Sequence, residues 1–140
     1  MSKRNAFMGL AAVVLVFALF LSGRAHAYCD SSAESGIWVN PQTEAKALAR
    51  LEIQTTCHSG QRGWKVRALS RCARTECSWG YSPGVRRPDG ALAALFSTFS
   101  AERLVRLLVD RDSMQIVVVN VFRGGREDTV QRYVFRRKYE

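Results

Sequence analysis

The cysteines are the residues best suited to chemistry in this sequence, and their number favours disulfide bonds over a metal site. All of them follow an N-terminal apolar segment, and they are Cys29, Cys57, Cys72 and Cys77. An even number of cysteines in an exported chain is typical of paired disulfides. A zinc site would need close pairs of Cys or His, and His58 is the only histidine after position 27. We therefore predict two disulfides, no metal and no cofactor.

No combination of residues in the sequence predicts catalysis. His58 stands beside a cysteine in a predicted turn, with no acid or nucleophile placed to act with it. The serines and aspartates are scattered among turn segments, where such residues act as caps and turn formers. The sequence therefore predicts a protein that is not an enzyme and has no catalytic residues.

Large aromatic residues are the best candidates for holding a small ligand. They fall in predicted strands, and they are Trp38, Trp64, Trp79 and Tyr81. Side chains of this kind line the cavity of ligand-holding eight-stranded barrels, and they equally fill the interior of barrels that hold nothing. The basic residues at 86–87 and 136–138 predict either a solvated surface or an anion-binding one.

The N-terminal residues 1–27 predict a secretory signal peptide. A basic start precedes an apolar run from Phe7 to Leu21, and Ala25 and Ala27 are the small residues of a cleavage site. The run is shorter than the ~20 residues that span a bilayer, and an uncleaved anchor is the alternative. We expect residues 28–140 to form one exported domain, periplasmic or secreted, with no stable membrane anchor after cleavage.

The charge of the chain is strongly positive. Its 21 lysines and arginines outnumber its 12 acidic residues, which gives a net charge of +9. This balance favours acidic partners such as anionic glycans, lipid headgroups or an acidic face of another protein. The export signal argues against nucleic acid as the partner.

Apolar and polar residues alternate over short segments separated by turns, and this pattern predicts an all-β fold. Eight strands are expected, at 36–39, 47–56, 64–72, 78–83, 91–98, 103–110, 114–122 and 129–138. No segment is long enough for the crossover of a parallel pair, so the strands are expected to form an up-and-down antiparallel barrel. The alternative is an α+β fold in which residues 91–109 form a helix that covers the sheet.

The order of the strands also predicts which cysteines pair. Cys72 and Cys77 flank a single turn and can meet. Cys57 and Cys72 stand at opposite ends of one strand, farther apart than the ~6 Å between Cα atoms that a disulfide tolerates. Cys29 precedes the first strand and Cys57 follows the second, so antiparallel pairing of these strands brings them together. The expected disulfides are Cys29–Cys57 and Cys72–Cys77.

One short motif resembles a known superfamily. Gly36, Ile37 and Trp38, near the start of a predicted small barrel, resemble the Gly-x-Trp motif of the calycins, which include lipocalins and avidins. The resemblance implies that Trp38 closes one end of the barrel. It also implies that an arginine of the last strand, Arg132 or Arg136, packs across the tryptophan.

A second, longer pattern resembles a group of small exported bacterial domains without assigned function. It combines residues 36–40 with the spacing Cys-x4-Cys-x-Trp-Gly at 72–80 and with residues 133–137. This resemblance implies a barrel and no particular activity.

Two neighbouring strands, at 102–110 and 114–122, are apolar on both faces, which predicts an interaction surface on the barrel wall. Glu102, Arg106 and Asp110 of the first strand are expected to face solvent, as is Asn120 of the second. Every second residue counted from them is then expected to face solvent as well. The outward apolar residues are then Leu104, Leu108, Ile116, Val118 and Phe122. We expect them to meet a second copy in a homodimer or a protein target, unless the alternative helix covers them.

Two functions fit these features. The first is an exported, non-enzymatic binding module for a small ligand in the barrel mouth or for an acidic partner. The alternative is a protein-directed inhibitor of an envelope or extracellular hydrolase, which would make its contacts through loops or the outer wall.

Overall fold

The segments that alternate in hydrophobicity form β-strands, and the predicted all-β architecture is confirmed. The computed structural model describes residues 29–42 and 44–139. Each strand pairs antiparallel with the next, and the last pairs with the first to close a barrel. The strands are β1 (Gly36–Val39), β2 (Leu48–His58), β3 (Gln61–Arg71), β4 (Glu76–Arg86), β5 (Leu92–Ser97), β6 (Ala101–Asp110), β7 (Ser113–Phe122) and β8 (Thr129–Lys138).

The N-terminal prediction lies outside the described residues, since the signal peptide was placed at 1–27. Among residues 29–42 and 44–139, no helix is long and apolar enough to cross a membrane.

The alternative helix at 91–109 is wrong, because this segment forms β5 and β6 with a tight turn between them. The backbone N–H of Thr98 donates to the carbonyl oxygen of Ala101 over 2.9 Å and closes the turn. Hydroxyl side chains at 97, 98 and 100 compete with helical backbone bonds, which favours a turn at this point.

The observed β2–β3 hairpin is longer than the sequence predicted. Ser59 and Gly60 both have positive φ, 49° and 77°, as the central residues of a two-residue type I′ turn do. His58 therefore pairs directly with Gln61, and the ladder begins at the turn itself.

Side chains from all eight strands fill the middle of the barrel. An eight-stranded barrel has an interior about wide enough for its own side chains, and here aliphatic and aromatic residues occupy it. The largest fully buried ones are Trp38, Phe96, Phe135, Leu48, Leu51, Leu92, Leu107, Met114, Ile116, Val66, Val105 and Val118.

A bulge in β4 turns Trp79 and Tyr81 to opposite sides of the wall. Ala68 pairs with Gly80 and Leu69 pairs with Ser78, so Trp79 is an extra residue with no partner on β3. Gly80 has a φ of 92°, which a residue with a side chain rarely adopts. Trp79 therefore packs inward and Tyr81 outward, although their spacing of two predicts a shared face.

Both predicted disulfides are present. Cys29–Cys57 ties the segment before β1 to the end of β2, and its Cα atoms are 5.7 Å apart. Cys72–Cys77 closes the connection from β3 to β4, with a Cα separation of 5.8 Å. Both positions follow from antiparallel pairing of consecutive strands.

The two ends of the barrel differ. At one end, which we call the closed end, the segment 29–35 lies across the opening beside the turns at 59–60, 87–91 and 111–112. At the other end, which we call the mouth, the connections at 72–75, 98–100 and 123–128 surround an opening. The side chains described below explain this difference.

The strand pairing is uneven around the ring. Ten residue pairs join β2 to β3, and ten join β6 to β7. Only three pairs join β1 to β8, and only three join β4 to β5. The ring is one closed sheet that is least extensively paired at two junctions, β1–β8 and β4–β5, and these separate strands β1–β4 from strands β5–β8.

The predicted outer face of β7 is wrong. Ile116 and Val118 are 1% and 0% exposed and point into the barrel, and Phe122 shares their inward face. The error came from Asn120, which is polar but buried, so the alternation counted from it was inverted. Leu104 and Leu108 of β6 are exposed as predicted.

Candidate ligand-binding site

Trp38, the first of the predicted ligand-binding aromatics, is part of the closed end. Its side chain is 0% exposed, and its indole Nε1–H donates to the carbonyl oxygen of Glu34 over 2.9 Å. The guanidinium carbon of Arg137 lies 4.2 Å from the ring centroid. Trp38 thus fills the closed end of the barrel.

Arg137 holds the N-terminal segment over Trp38. Its Nη1 and Nη2 donate to the carbonyl oxygens of Ser35 and Ala33, each over 2.6 Å. An arginine of the last strand does pack across the tryptophan, but the expected Arg132 or Arg136 is wrong. Inward positions of β8 alternate through Tyr133 and Phe135, and Arg137 continues that series.

Trp64 also belongs to the closed end. Its Nε1–H donates to Oγ of Ser32 over 2.8 Å, and the guanidinium carbon of Arg86 lies 4.6 Å from its ring centroid. Nη1 of Arg86 also donates to Oε1 of Glu34 over 2.5 Å. Burial alone would raise the pKa of Glu34, but the hydrogen bonds from Arg86, the backbone and Ser32 outweigh it and hold the pKa below its usual value.

Tyr81 lies on the outer wall and faces solvent. It is 59% exposed, with Nζ of Lys65 4.4 Å and the guanidinium carbon of Arg67 5.6 Å from its ring centroid. The prediction that Tyr81 lines the interior with Trp79 is wrong, because the bulge at Trp79 turns Tyr81 to the outer face.

Trp79 is the one predicted aromatic that reaches a pocket, which lies at the mouth. The pocket has a volume of about 590 Å³. Trp79 forms part of its floor, where its ring meets the ring of Phe96 edge to face with centroids 6.0 Å apart. The residues around it are Lys46, Ser70, Arg71, Cys72, Trp79, Ser100, Arg103, Asn120, Phe122, Arg126, Thr129 and Gln131.

Arg103 lines this pocket and is held by three contacts. Its Nε donates to Oδ1 of Asn120 and its Nη1 to Oγ1 of Thr98, both over 3.1 Å. Its guanidinium carbon lies 4.6 Å from the centroid of Trp79. These contacts orient the guanidinium and leave Nη2 without a hydrogen bond to any of the described residues.

Asn120 is the residue that orients Arg103. It is 4% exposed, and its Nδ2 donates to Oγ1 of Thr129 over 3.1 Å and to Oε1 of Gln131 over 3.2 Å. Because both amide hydrogens are used in this way, Oδ1 faces Arg103 and accepts from its Nε. The buried amide is therefore a support for the cation.

The charge of Arg103 has no counter-ion in the part of the chain that the structure describes. No carboxylate in residues 29–42 and 44–139 forms an ion pair with it. Burial lowers the pKa of Arg103, because the surroundings disfavour the charged form. A guanidinium nevertheless stays protonated in proteins, so this is a partly desolvated positive charge.

Three further cations surround the pocket, and no acidic residue lines it. Arg126 places its guanidinium carbon 4.2 Å from the centroid of Phe122. Arg71 has a buried Nε with no hydrogen-bond partner, while its Nη2 donates to the carbonyl oxygen of Gln42 over 3.3 Å. Lys46 completes the set. The mouth thus combines aromatic surfaces with converging positive charge.

The sequence contains a signal for this site in the alternation of β6 and β7. Arg103 occupies the same strand face as Val105 and Leu107, which are core residues. Asn120 likewise alternates with Ile116 and Val118. A polar residue inside an apolar period-2 series is buried when the strand closes a barrel, and such groups need partners.

Two other kinds of site, a metal centre and a catalytic histidine, have less support in the structure. Within residues 29–42 and 44–139, no three His, Cys, Asp or Glu side chains lie close enough together to hold a metal ion. His58 is exposed at the end of β2.

Comparison of the chain with protein-family models, with curated proteins and with solved structures finds no match in any of the three.

Proposed function

We propose that this protein is an exported, non-enzymatic module that binds a small anionic ligand in the mouth of its barrel. The observation that carries the proposal is Arg103, an oriented and partly buried cation with no counter-ion among the described residues. A desolvated charge without a partner is costly, and an anion at Nη2 would remove that cost. A charge-assisted hydrogen bond at that position would also be a strong one.

The shape and lining of the mouth favour a small molecule with an aromatic or apolar part. The pocket of about 590 Å³ is of the size that small-molecule sites have. Trp79 and Phe122 offer ring surfaces, while Arg71 and Arg126 place further positive charge at its rim. The expected ligand is therefore an organic carboxylate, sulfonate or phosphate with a flat or apolar body.

Binding without reaction is favoured because the lining has no general base. Its hydroxyl groups belong to Ser70, Ser100 and Thr129, and no histidine or carboxylate lines the pocket beside them. A nucleophilic hydroxyl needs such a base within hydrogen-bond reach.

A calycin-like relationship is part of the proposal. The barrel topology, the buried Trp38 and the arginine stacked over it support this relationship. The two disulfides support export, since such bonds persist in oxidising compartments.

The proposal can be tested with an anionic aromatic probe, 8-anilinonaphthalene-1-sulfonate. We expect fluorescence titration to give saturable binding, weakened at least tenfold in Arg103→Met, because a hydrogen bond to a charged group contributes about 1.5–3 kcal/mol. Arg132→Met, which removes a cation from the outer wall, is the matched control and should bind normally. Equal binding by wild type and Arg103→Met would contradict the proposal.

A second variant tests whether a carboxylate of the protein itself, placed beside Arg103, competes with the ligand. Asn120→Asp keeps the size of the side chain and places a carboxylate beside the Nε of Arg103. We expect this internal anion to weaken probe binding while circular dichroism shows an unchanged fold. Native mass spectrometry of protein isolated from its source would then show whether an anionic molecule copurifies with the wild type and is absent from Arg103→Met.

The protein-directed alternative, an inhibitor of an envelope or extracellular hydrolase, is favoured by one residue. Phe99, at the tip of the β5–β6 turn beside the mouth, is 99% exposed. Exposed aromatic side chains often anchor protein interfaces. If this function is right, the protein should inhibit at least one of a panel of such hydrolases, and Phe99→Ser should lose the inhibition while keeping probe binding.

A further inference from the structure

The outer wall formed by β5, β6, β7 and β8 carries an apolar surface. Six of the ten exposed large hydrophobic side chains that the structure describes lie there, so this exposure is concentrated on one wall. Large exposed apolar surfaces on a soluble protein commonly mark interaction sites. We call these six residues the apolar wall, and they are Leu95, Leu104, Leu108, Val121, Val130 and Val134.

Four outward positions lie side by side across this wall. Leu95 pairs with Leu104, and Leu104 pairs with Val119. Val119 in turn pairs with Val130. We call these four residues the central row. It crosses four neighbouring strands at right angles and contains no polar side chain.

The charges on the two sides of the central row are opposite in sign. Glu102 lies two positions before Leu104 on β6 and pairs with Val121. Arg106 lies two positions after Leu104 and pairs with Val117, which in turn pairs with Arg132. On β6 the central row is therefore flanked by an acidic side chain, Glu102, on one side and by a basic side chain, Arg106, on the other.

We propose that the apolar wall binds a second copy of this chain about a two-fold axis that runs along the central row. A closed dimer of identical chains uses one self-complementary patch on both copies. Rotation about this axis places each strand against the same strand of the other copy, reversed in direction. Glu102 of each copy then meets Arg106 of the other, and Val121 meets Val117.

The charges select this axis over the other symmetric choice. An axis parallel to the strands, between β6 and β7, would place β6 of one copy against β7 of the other. Glu102 would then face Val121, and Arg106 would face Val117. Glu102 and Arg106 would then each be covered by an apolar side chain of the other copy instead of meeting an opposite charge, which is costly.

Arg106 and Glu102 each have an ion-pair partner within one copy, and these pairs leave both side chains able to contact a second copy. Nη2 of Arg106 lies 2.6 Å from Oδ2 of Asp89, and Nη2 of Arg123 lies 3.7 Å from Oε1 of Glu102. All four side chains are largely exposed, and exposed ion pairs of this kind are weak. The two side chains can therefore also contact a second copy.

Charge reversal gives a test that only this pairing satisfies. We expect analytical ultracentrifugation to show a dimer for the wild type and at least tenfold weaker association for Glu102→Arg and for Arg106→Glu alone. An equimolar mixture of the two variants should associate like the wild type, because both contacts in the mixed pair regain opposite charges. Residues 102 and 106 are roughly 13 Å apart along one strand, so pairing within a copy cannot explain the rescue.

Two matched controls separate this effect from general changes in charge or hydrophobicity. Lys65→Glu reverses a charge on β3, outside the apolar wall, and should leave association unchanged. Leu104→Lys should weaken the dimer, whereas Tyr81→Lys, at an exposed position of β4 outside the apolar wall, should not. A wild type that sediments as a monomer at the highest concentration reached, or folded charge variants that fail to associate when mixed, would overturn the proposal. If a charge variant unfolds, the pair Leu104→Lys and Tyr81→Lys decides the outcome by itself.

Discussion

Arg137 is the residue on which the closed end depends most directly. Its two terminal nitrogens bind backbone carbonyl oxygens of the N-terminal segment, and its guanidinium covers Trp38. Arg137→Met keeps apolar cover over the indole but removes both hydrogen bonds. We expect the free energy of unfolding, measured by urea denaturation, to fall by about 1.5–3 kcal/mol, the contribution of hydrogen bonds to a charged group.

The neighbouring arginine provides the control for this prediction. Arg136 is exposed on the opposite face of β8, and Arg136→Met should change stability by less than about 0.5 kcal/mol. An equal loss in both variants would mean that Arg137 acts through the net charge of the strand rather than through Trp38.

Glu34 gives the closed end a pH dependence. Burial raises the pKa of Glu34, but hydrogen bonds, chiefly the one from Arg86, lower it. In the folded protein this pKa therefore lies below the usual value of 4.5. A carboxyl with a lowered folded pKa stabilises the fold fully above the unfolded pKa, and this contribution is lost as the pH falls through the folded pKa. We expect thermal denaturation to show the wild type losing stability below about pH 4.5 more steeply than Glu34→Gln does.

A control for the pH effect is available in the same chain. Glu127 is exposed in the β7–β8 connection, and Glu127→Gln should keep the acid-induced loss that Glu34→Gln removes. If both variants show the wild-type slope, the pairing of Glu34 with Arg86 does not carry the pH dependence.

Residue chemistry predicted positions well where polarity and burial agree, and failed where they conflict. The cysteine pairs were predicted because disulfide geometry leaves few choices, whereas the closing role of Trp38 was implied by the resemblance to the calycin motif. Asn120 and Arg103 were not predicted as site residues because polar side chains were expected on the outer face. In this barrel, polar side chains also line the pocket at the mouth. Their burial depends on long-range partners, such as Thr98 and Gln131, that the local sequence does not show.

At the scale of elements, the two disulfides should differ in what they contribute. Cys29–Cys57 spans 28 positions of sequence and Cys72–Cys77 spans 5. Closing the longer loop removes more freedom from the unfolded chain, so we expect losses of about 3.6 and about 2.2 kcal/mol when each pair is replaced by alanine. Chemical denaturation of the two double variants measures both values.

The opposite order of stabilities would be equally informative. If removing Cys72–Cys77 costs more than removing Cys29–Cys57, restriction of the unfolded chain is not the main effect. The short disulfide would then stabilise the rim of the mouth in the folded state, and probe binding should weaken in the same variant.

Strands and turns were predictable because their pattern is local, but the bulge at Trp79 was not. The β-branched run of β7, the alternation in β8 and the turn residues around 59–60 and 111–112 set the hairpins directly. The bulge depends on Gly80 and on how Trp79 packs against Phe96 on β5. One inserted residue then moved Tyr81 to the opposite side of the wall.

At the scale of the whole molecule, the first prediction concerns processing. We expect cleavage after Ala27, because Ala25 and Ala27 follow the short apolar run. N-terminal sequencing of the exported protein should begin at Tyr28, while Ala27→Arg should accumulate as the longer precursor. A full-length protein that stays in the membrane fraction would contradict this prediction.

The overall fold could be predicted from the sequence, whereas its open end could not. Eight alternating segments with short connections allow few arrangements besides a closed antiparallel barrel. Which end is filled depends on a few long-range contacts, such as that of Arg137 with the segment before β1. The pocket at the mouth is what remains after the other end is closed.

The uneven strand pairing has a consequence for how the molecule opens. The strand groups β1–β4 and β5–β8 meet along two junctions of three residue pairs each, while the pairings within each group have between four and ten pairs. Both disulfides lie within the first group and its N-terminal segment, and neither crosses a junction. Native-state hydrogen exchange should therefore resolve two cooperative units, with the uncrosslinked β5–β8 unit separating first. Opening along these junctions would release the cation at the mouth from Trp79 and part the two sides of its pocket together.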